Sequence, residues 1–378
     1  MKIVNDYLKF KDYKNKAKEE FRPKLNEMVE LFEIRKKKRE KIKTSPKFIA
    51  LRNQSKKLII ISSISIFLTF IIILIISLTE TGHINLIFAI VPGIVAFFST
   101  FRLWSKKKKI WWMTDRIPED VYAPAILSPE DAYKTAFSIL DKRIDYLGLN
   151  DQPNSKIRIS TDEIIKFTTG GIIGPSWARI RRVEPLKELL IDKKFRVAFT
   201  NVCWQWEEIR EHPTKIRREN VTVIRNSFTG ILKIDTSILG EKAFDFKLLR
   251  ASSWIFGRED KVKLENKEFN EVFNPESKDK LKIRKMYTPL AMELSLKRYF
   301  DRDGVKVSNI SIESSGNAIY FTYRCNPNFM SHVFWISSIK SPDHFNNYFI
   351  SYFFDDFLAD AYSLYYLLSL IYPTLYLD

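Results

Sequence analysis

From Leu58 to Leu78 the chain runs 21 residues without a charge, LIIISSISIFLTFIIILIISL. No other feature restricts the fold as much. A helix rising 1.5 Å per residue needs about 20 apolar residues to cross a hydrocarbon core about 30 Å thick. Lys56 and Lys57 bound the run on one side and Glu80 on the other. A buried helix of a water-soluble core is shorter and less uniformly apolar, so the run predicts a membrane span. It begins 57 residues into the sequence, too far in for a cleaved leader.

A second run, INLIFAIVPGIVAFFSTFRLW over 84–104, follows a connector of five residues, Thr79 to His83. Asn85, Pro92 and Gly93 weaken it. Membrane helices nevertheless tolerate proline and glycine where neighbouring groups take up the freed carbonyl. The alternative is a re-entrant or interfacial segment. The pair predicts a transmembrane helical hairpin over 57–104, with spans at 58–78 and 84–103. This leaves a basic helical segment, 1–56, and a domain over 105–378.

Charge sets the expected orientation. Of the formal +17, residues 1–57 carry +11 and residues 58–109 carry +4, leaving +2 for the rest. The excess thus lies at the two edges of the apolar region, whereas a nucleic-acid binder carries it on the face that meets the phosphates. Arg52, Lys56 and Lys57 precede the first span, and Arg102 and Lys106 to Lys109 follow the second. The connector has neither Lys nor Arg. The positive-inside rule then places both termini in the cytoplasm of a plasma-membrane protein with two spans. Trp104, Trp111 and Trp112 fit an aromatic belt at the inner interface. Two cysteines rule out a disulfide scaffold and agree with a reducing compartment.

Within 1–50, Phe21, Leu25, Met28, Val29 and Phe32 recur at helical spacing, with Pro23 expected to break or start a helix. Arg35, Lys36, Lys37, Lys38 and Arg39 form an unbroken basic run. Each basic residue adds about 1 kcal/mol beside an anionic leaflet. The run, with Lys106, Lys107, Lys108 and Lys109, fits contact with lipid headgroups or an acidic protein partner. It fits equally a solvated face that only enforces topology.

Beyond the hairpin the pattern predicts an α+β fold with a mostly antiparallel sheet. Ser128-Pro129-Glu130-Asp131 caps a helix expected to run to about Tyr146 and end at Gly148. FRVAFTNVCWQWEE alternates, with a phase change that suggests a bulge or turn near Asn201. NVTVIRN, GILKIDT and KVKLEN read as further strands. Thr288-Pro289 starts a helix over 289–300. Ser315-Gly316-Asn317 joins a hairpin between KVSNISIES and AIYFTYRC. From His344 the aromatic tail reads as a helix broken at Pro373. Asp355, Asp356 and Asp360 argue against a third span, because each costs about 2.5–3.5 kcal/mol at mid-bilayer. A core helix or an interaction surface is expected instead.

The block ENKEFNEVFNPESKDKLKIRKMYTPLAMELSLKRYF resembles the central part of a bacterial membrane-protein family, domain-of-unknown-function family 3137. The residues that carry the resemblance are Phe269 and Phe273, Ser277 and Asp279, a basic and apolar strand at Leu281 to Met286, and Thr288-Pro289. Upstream, Phe228 and Gly230 resemble its Phe-x-Gly strand. The resemblance covers about residues 190–325 and the order of hairpin and domain. It implies the architecture, a hydrophobic hairpin ahead of a cytoplasmic α+β domain. It implies structural roles for these residues and no chemistry.

No catalytic or binding motif stands in the sequence. Gly170-Gly171-Ile172-Ile173-Gly174 is not followed by Lys and Ser/Thr, so it is no phosphate loop. Gly-x-Ser-x-Gly, His-Glu-x-x-His, Cys-x-x-Cys and calcium-loop patterns are absent. Cys203 with His212 is the one nucleophile–base pairing to consider, and Val202 and Trp204 make Cys203 read as a packed strand residue. His332 and His344 read as loop or core residues, and Asp355-Asp356 as a solvated pair. No cofactor or metal is expected. The sequence reads as a non-catalytic, membrane-anchored scaffold or adaptor. It would tether its domain, and with it a larger multi-subunit assembly such as an ATPase or motility complex, to an anionic inner leaflet. The alternatives are an enzyme without a recognised motif acting at the membrane face, and an oligomeric channel component.

Overall fold

The computed structural model describes residues 7–79, 84–114, 128–149, 157–168, 174–213, 218–249, 260–331 and 354–375. Two compact units emerge: Met1–Arg22 with Leu127–Asp378, and Pro23–Ile126. The first helix, α1 (Phe10–Thr44), contributes to both, and Pro23 lies inside it rather than at an end.

The Pro23–Ile126 unit holds the rest of α1 together with α2 (Pro46–Thr79) and α3 (Ile84–Thr114). Ser45 separates α1 from α2, its hydroxyl accepting from the Phe48 N–H at 3.3 Å. α2 and α3 pack on each other, and the Lys106 ammonium donates to the Gln54 side-chain carbonyl where their polar ends meet. Among the described residues one segment, Pro46–Leu74, is long and apolar enough to cross a membrane, and little of it is buried. Phe67, Phe70 and Phe97 are 63%, 62% and 67% exposed. The second expected span, 84–103, is helical, but the side chains of 84–93 lie outside the described residues.

The other unit is α+β, as the sequence predicts. Its sheet has eight strands: β1 (Ile144–Leu149), β2 (Arg179–Val183), β3 (Lys187–Ile191), β4 (Phe195–Pro213), β5 (Arg218–Asp235), β6 (Phe246–Leu248), β7 (Ser308–Ser315) and β8 (Ala318–Arg324). They run in the order β1-β3-β4-β5-β8-β7-β6, with β2 on β4, and every pairing is antiparallel. The helices are α4 (Pro129–Leu140), α5 (Thr161–Thr168), α6 (Lys267–Phe273), α7 (Lys280–Met286), α8 (Pro289–Phe300) and α9 (Phe354–Leu375).

Caps begin the helices where the sequence places them. Ser128 Oγ accepts from the Asp131 N–H at 3.0 Å, and Thr288 Oγ1 from the Ala291 N–H at 3.3 Å. α4, however, stops at Leu140. Ile144 and Tyr146 alternate buried with exposed neighbours and pair with Ile191 and Leu189, so this stretch is β1, with a bulge between Tyr146 and Gly148. The phase change in β4 is not a bulge either, because its pairing with β5 is unbroken from Val197 to Pro213. Both faces of the strand are covered. Val202 and Trp204 pack with Ile164 of α5. Val197, on the other face, shares a row with Leu189 and Tyr146, and Tyr146 stacks on Phe137 of α4 at 5.7 Å. The apolar set therefore switches face along one strand.

NVTVIRN and GILKIDT are likewise one strand, β5. KVKLEN yields an isolated bridge, Lys261 to Glu276. Leu281 to Met286 is helical, not extended: Asp279 Oδ1 accepts from the Lys282 N–H at 2.9 Å, and Ile283 and Met286 face inward at a three-residue spacing. α9 continues through Pro373. The start of the aromatic tail, 344–353, lies outside the described residues, as do 170–173 of the glycine-rich stretch.

α9 is a core helix, buried at Phe354 and from Phe357 to Ile371, and packed on α4 and α8. Its third neighbour is the beginning of α1. Tyr13, Ala17 and Phe21 recur every four residues and are at most 1% exposed. Tyr13 stacks on Tyr362 at 5.9 Å, and Phe21 meets Phe354 edge-on at 5.2 Å. Asp355 and Asp356 are not a solvated pair. Lys14 bonds to Asp355 and Lys306 to Asp356, and both carboxylates are partly buried.

Candidate functional site

The basic residues expected to meet lipid or a partner fall on helices. Lys37 and Lys38 are exposed on α1, while the side chains of Arg35, Lys36 and Arg39 lie outside the described residues. On α3, Lys107 to Lys109 are exposed and Lys106 is partly covered. Lys108 Nζ sits 5.2 Å from the ring centre of Trp104, which is 60% exposed. The side chains of Trp111 and Trp112 lie outside the described residues.

The residues behind the family resemblance form the inside of the fold. Phe269 and Phe273 are fully buried and stack at 4.4 Å, with Tyr287 4.8 Å from Phe269. Ser277 Oγ donates to the Asp245 carbonyl at 2.8 Å and accepts from the Asp279 N–H at 3.1 Å. Asp279 and Thr288 are N-caps, and Pro289 opens α8. Phe228 is half-buried beside Gly230 on β5. Gly230 is required by close approach: a Cβ there would lie 2.2 Å from the Tyr323 ring.

The sequence-level candidates for chemistry do not assemble. Cys203 and His212 stand nine residues apart on β4, about 30 Å at 3.3 Å per residue. Both cysteines are buried and free. Burial, and behind it Asp360 and Glu184, pushes the Cys325 thiol far above the ordinary range, which keeps it protonated and inert. His332 and His344 lie outside the described residues. Among the described residues no group of three His, Cys, Asp or Glu is placed to hold a metal.

A polar cluster that the sequence did not announce lies where β3, β4 and α9 meet the turn after β8. In this turn, 326–331, Asn328 and Met330 adopt left-handed backbone angles, φ 66° and 56°. For a methionine that conformation costs about 1–2 kcal/mol. Three side chains hold it. Asn201 Nδ2 donates to the Phe329 carbonyl at 2.5 Å, and Lys187 Nζ to the Met330 carbonyl at 2.5 Å. The Met330 N–H donates to Asp360 Oδ2 at 2.8 Å.

The turn presents Ser331, partly exposed, between two charged groups. Lys187 Nζ lies 2.9 Å from its Oγ, and its hydroxyl reaches Glu184 Oε2 at 2.7 Å. Asn201 Nδ2 also donates to Glu184 Oε2, at 3.0 Å. Lys187 is 9% exposed, and among the described residues no carboxylate lies within ion-pair distance of its ammonium. Burial lowers its pKa, and Glu184 and Asp360 oppose this only in part. The arrangement is a hydroxyl, a desolvated amine and an orienting carboxylate within hydrogen-bond reach of one another.

Two further polar groups are structural in geometry. On the opposite face of the sheet, Glu163 of α5 accepts from Lys233 at 2.6 Å and from the Tyr320 hydroxyl at 2.5 Å. Arg298 is 1% exposed among tyrosines. Its guanidinium lies 4.1 Å from the Tyr7 ring centre and 4.8 Å from that of Tyr366, and its Nε donates to Ser369 Oγ at 2.6 Å.

Comparison with protein-family models, with curated proteins and with solved structures gives no match.

Proposed function

We propose that this chain is a membrane-anchored scaffold or adaptor. α2 and α3 form its two-span hairpin, both termini are cytoplasmic, and the α+β unit is the part offered to a partner complex. One observation carries the reading. α2 keeps its apolar side chains outward, with Phe67 and Phe70 both more than 60% exposed. Leaving so much apolar surface in water costs about 25 cal/mol per Å², and lipid removes that cost. The Lys106–Gln54 bond pairs the polar ends of the two helices, as a hairpin requires. Lys107 to Lys109 and Trp104 then fall at the interface on the basic side. The resemblance to family 3137 belongs to the same proposal, with its motif residues serving the fold.

Topology is tested with single cysteines at Thr81 and Ser105 in a background where Cys203 and Cys325 are replaced by serine and alanine. An impermeant maleimide added to intact cells should label Thr81→Cys alone. Labelling of Ser105→Cys, or release of the protein by alkaline carbonate, overturns the hairpin. For the scaffold reading, cross-linking mass spectrometry of the full chain in mild detergent should find other subunits. A particle containing only this chain refutes it.

A further inference from the structure

The cluster around Ser331 is more than an anchor for a turn, and it does not depend on the membrane reading. Three observations converge on it. The turn is held in a strained conformation at Met330, and such strain gathers at sites where a side chain must be aimed. Ser331 is the part of the cluster that solvent reaches, whereas Lys187 and Asn201 behind it are buried. And Lys187 is an amine with no carboxylate in ion-pair contact among the described residues, touching the Met330 carbonyl and the Ser331 hydroxyl. Tying down a carbonyl needs only a donor. An amine buried next to a hydroxyl also supplies a base.

We propose that Ser331 and Lys187 form a serine–lysine catalytic pair acting on carboxylic esters, with Glu184 as the residue that positions them. Because a hydroxyl hydrogen rotates, the 2.9 Å contact works in either direction. With Lys187 neutral, Ser331 Oγ attacks the ester carbonyl carbon and the Oγ–C bond forms. The hydroxyl proton passes to Nζ. The ammonium returns that proton to the departing alkoxide as the ester C–O bond breaks, leaving an acyl-serine. Water then attacks the acyl carbon and gives a proton to Nζ, which passes it to Ser331 Oγ as the acyl bond breaks. An alcohol and a carboxylic acid leave, and the pair is restored. Glu184, fixed by Asn201 and by Arg182 at 3.2 Å, holds the hydroxyl between attacks and offsets the charge on Nζ while it is protonated.

The charged groups that act on Lys187 are Glu184 between β2 and β3 and Asp360 on α9; Asp360 in turn faces Lys306 at 4.0 Å, and Lys306 bonds Asp356. Tyr323 and Cys325 lie near Asp360 and are kept neutral by burial.

The test uses the full chain in mild detergent, a fluorophosphonate probe and peptide mapping. Wild type should be labelled at Ser331, more rapidly as pH rises, with a midpoint below the ordinary lysine value of 10.5. Lys187→Arg keeps a donor for the turn but cannot act as a base. It should keep the wild-type melting temperature and lose labelling by about a hundredfold or more. Glu184→Gln removes a charge that favours the ammonium, so its labelling midpoint should move to lower pH. Absence of Ser331 labelling in wild type, where a known serine hydrolase in the same tube reacts, overturns the proposal even if the variants fail to fold. So does a Lys187→Arg protein that labels at the wild-type rate. A Glu184→Gln profile that coincides with wild type removes Glu184 from the mechanism.

Discussion

Replacing Phe21 by alanine should destabilise the α+β unit, although the whole of Pro23–Ile126 lies in sequence between the first piece of that unit, which ends at Arg22, and its continuation at Leu127. Phe21 is 1% exposed, and its ring meets Phe354 edge-on at 5.2 Å and Phe357 at 6.2 Å. Truncating a fully buried phenylalanine costs about 3–5 kcal/mol through lost transfer energy and the cavity left behind. Two aromatic contacts place it in the middle of that range, about 4 kcal/mol. In a unit of this size each kcal/mol lowers the melting temperature by about 2–4 °C, so a drop of about 8–16 °C is expected. The assay is thermal unfolding of the detergent-solubilised full chain, read by tryptophan fluorescence. Leu281→Ala is the control, since Leu281 is 64% exposed on α7 and should shift the midpoint hardly at all. A Phe21→Ala midpoint within about 2 °C of the control would mean that α1 is not part of this core.

Gly230→Ala should cost more than about 2 kcal/mol, because a Cβ 2.2 Å from the Tyr323 ring forces that buried ring to move. A denaturant midpoint equal to wild type would show that the close approach is not real. Tyr323→Phe should instead stabilise the protein by about 1 kcal/mol, since the Tyr323 hydroxyl is buried with no hydrogen-bond partner among the described residues. A loss of stability would reveal a partner for it. For Glu163, burial pulls the pKa up, but hydrogen bonds from Lys233, Tyr320 and the Ser160 N–H outweigh it and hold the carboxyl below 4.5. A lowered folded pKa contributes stability above the unfolded value, lost as pH falls through the folded one. Wild type should therefore exceed Glu163→Gln in stability at neutral pH, and the gap should close below pH 4.5. A gap unchanged by acid would remove the charge from the account.

What the sequence determined by itself is what neighbouring residues settle among themselves. Ser128-Pro129 and Thr288-Pro289 start helices because a side-chain oxygen reaches an N–H three residues on, whatever the rest of the molecule does. Ser315-Gly316-Asn317 turns β7 into β8 because Gly316 takes a left-handed conformation at no steric cost. An uncharged run as long as 58–78 is legible because length and apolarity are local quantities. Local patterns mislead where packing on both faces erases an alternation, or where a cap decides the element. β4 looked interrupted because its two halves rely on opposite faces of the sheet. Leu281 to Met286 reads as extended, but the Asp279 cap makes it helical.

Tertiary structure alone decided what meets at long range. No periodicity brings Tyr13 to Tyr362, or Lys187 to a serine 144 residues away. Loop closure over such separations is repaid only once many contacts form together, so no single stretch of sequence encodes it. The strain at Met330 shows the same thing. Its left-handed backbone is disfavoured locally and persists because Asn201, Lys187 and Asp360, from three separate elements, hold it there.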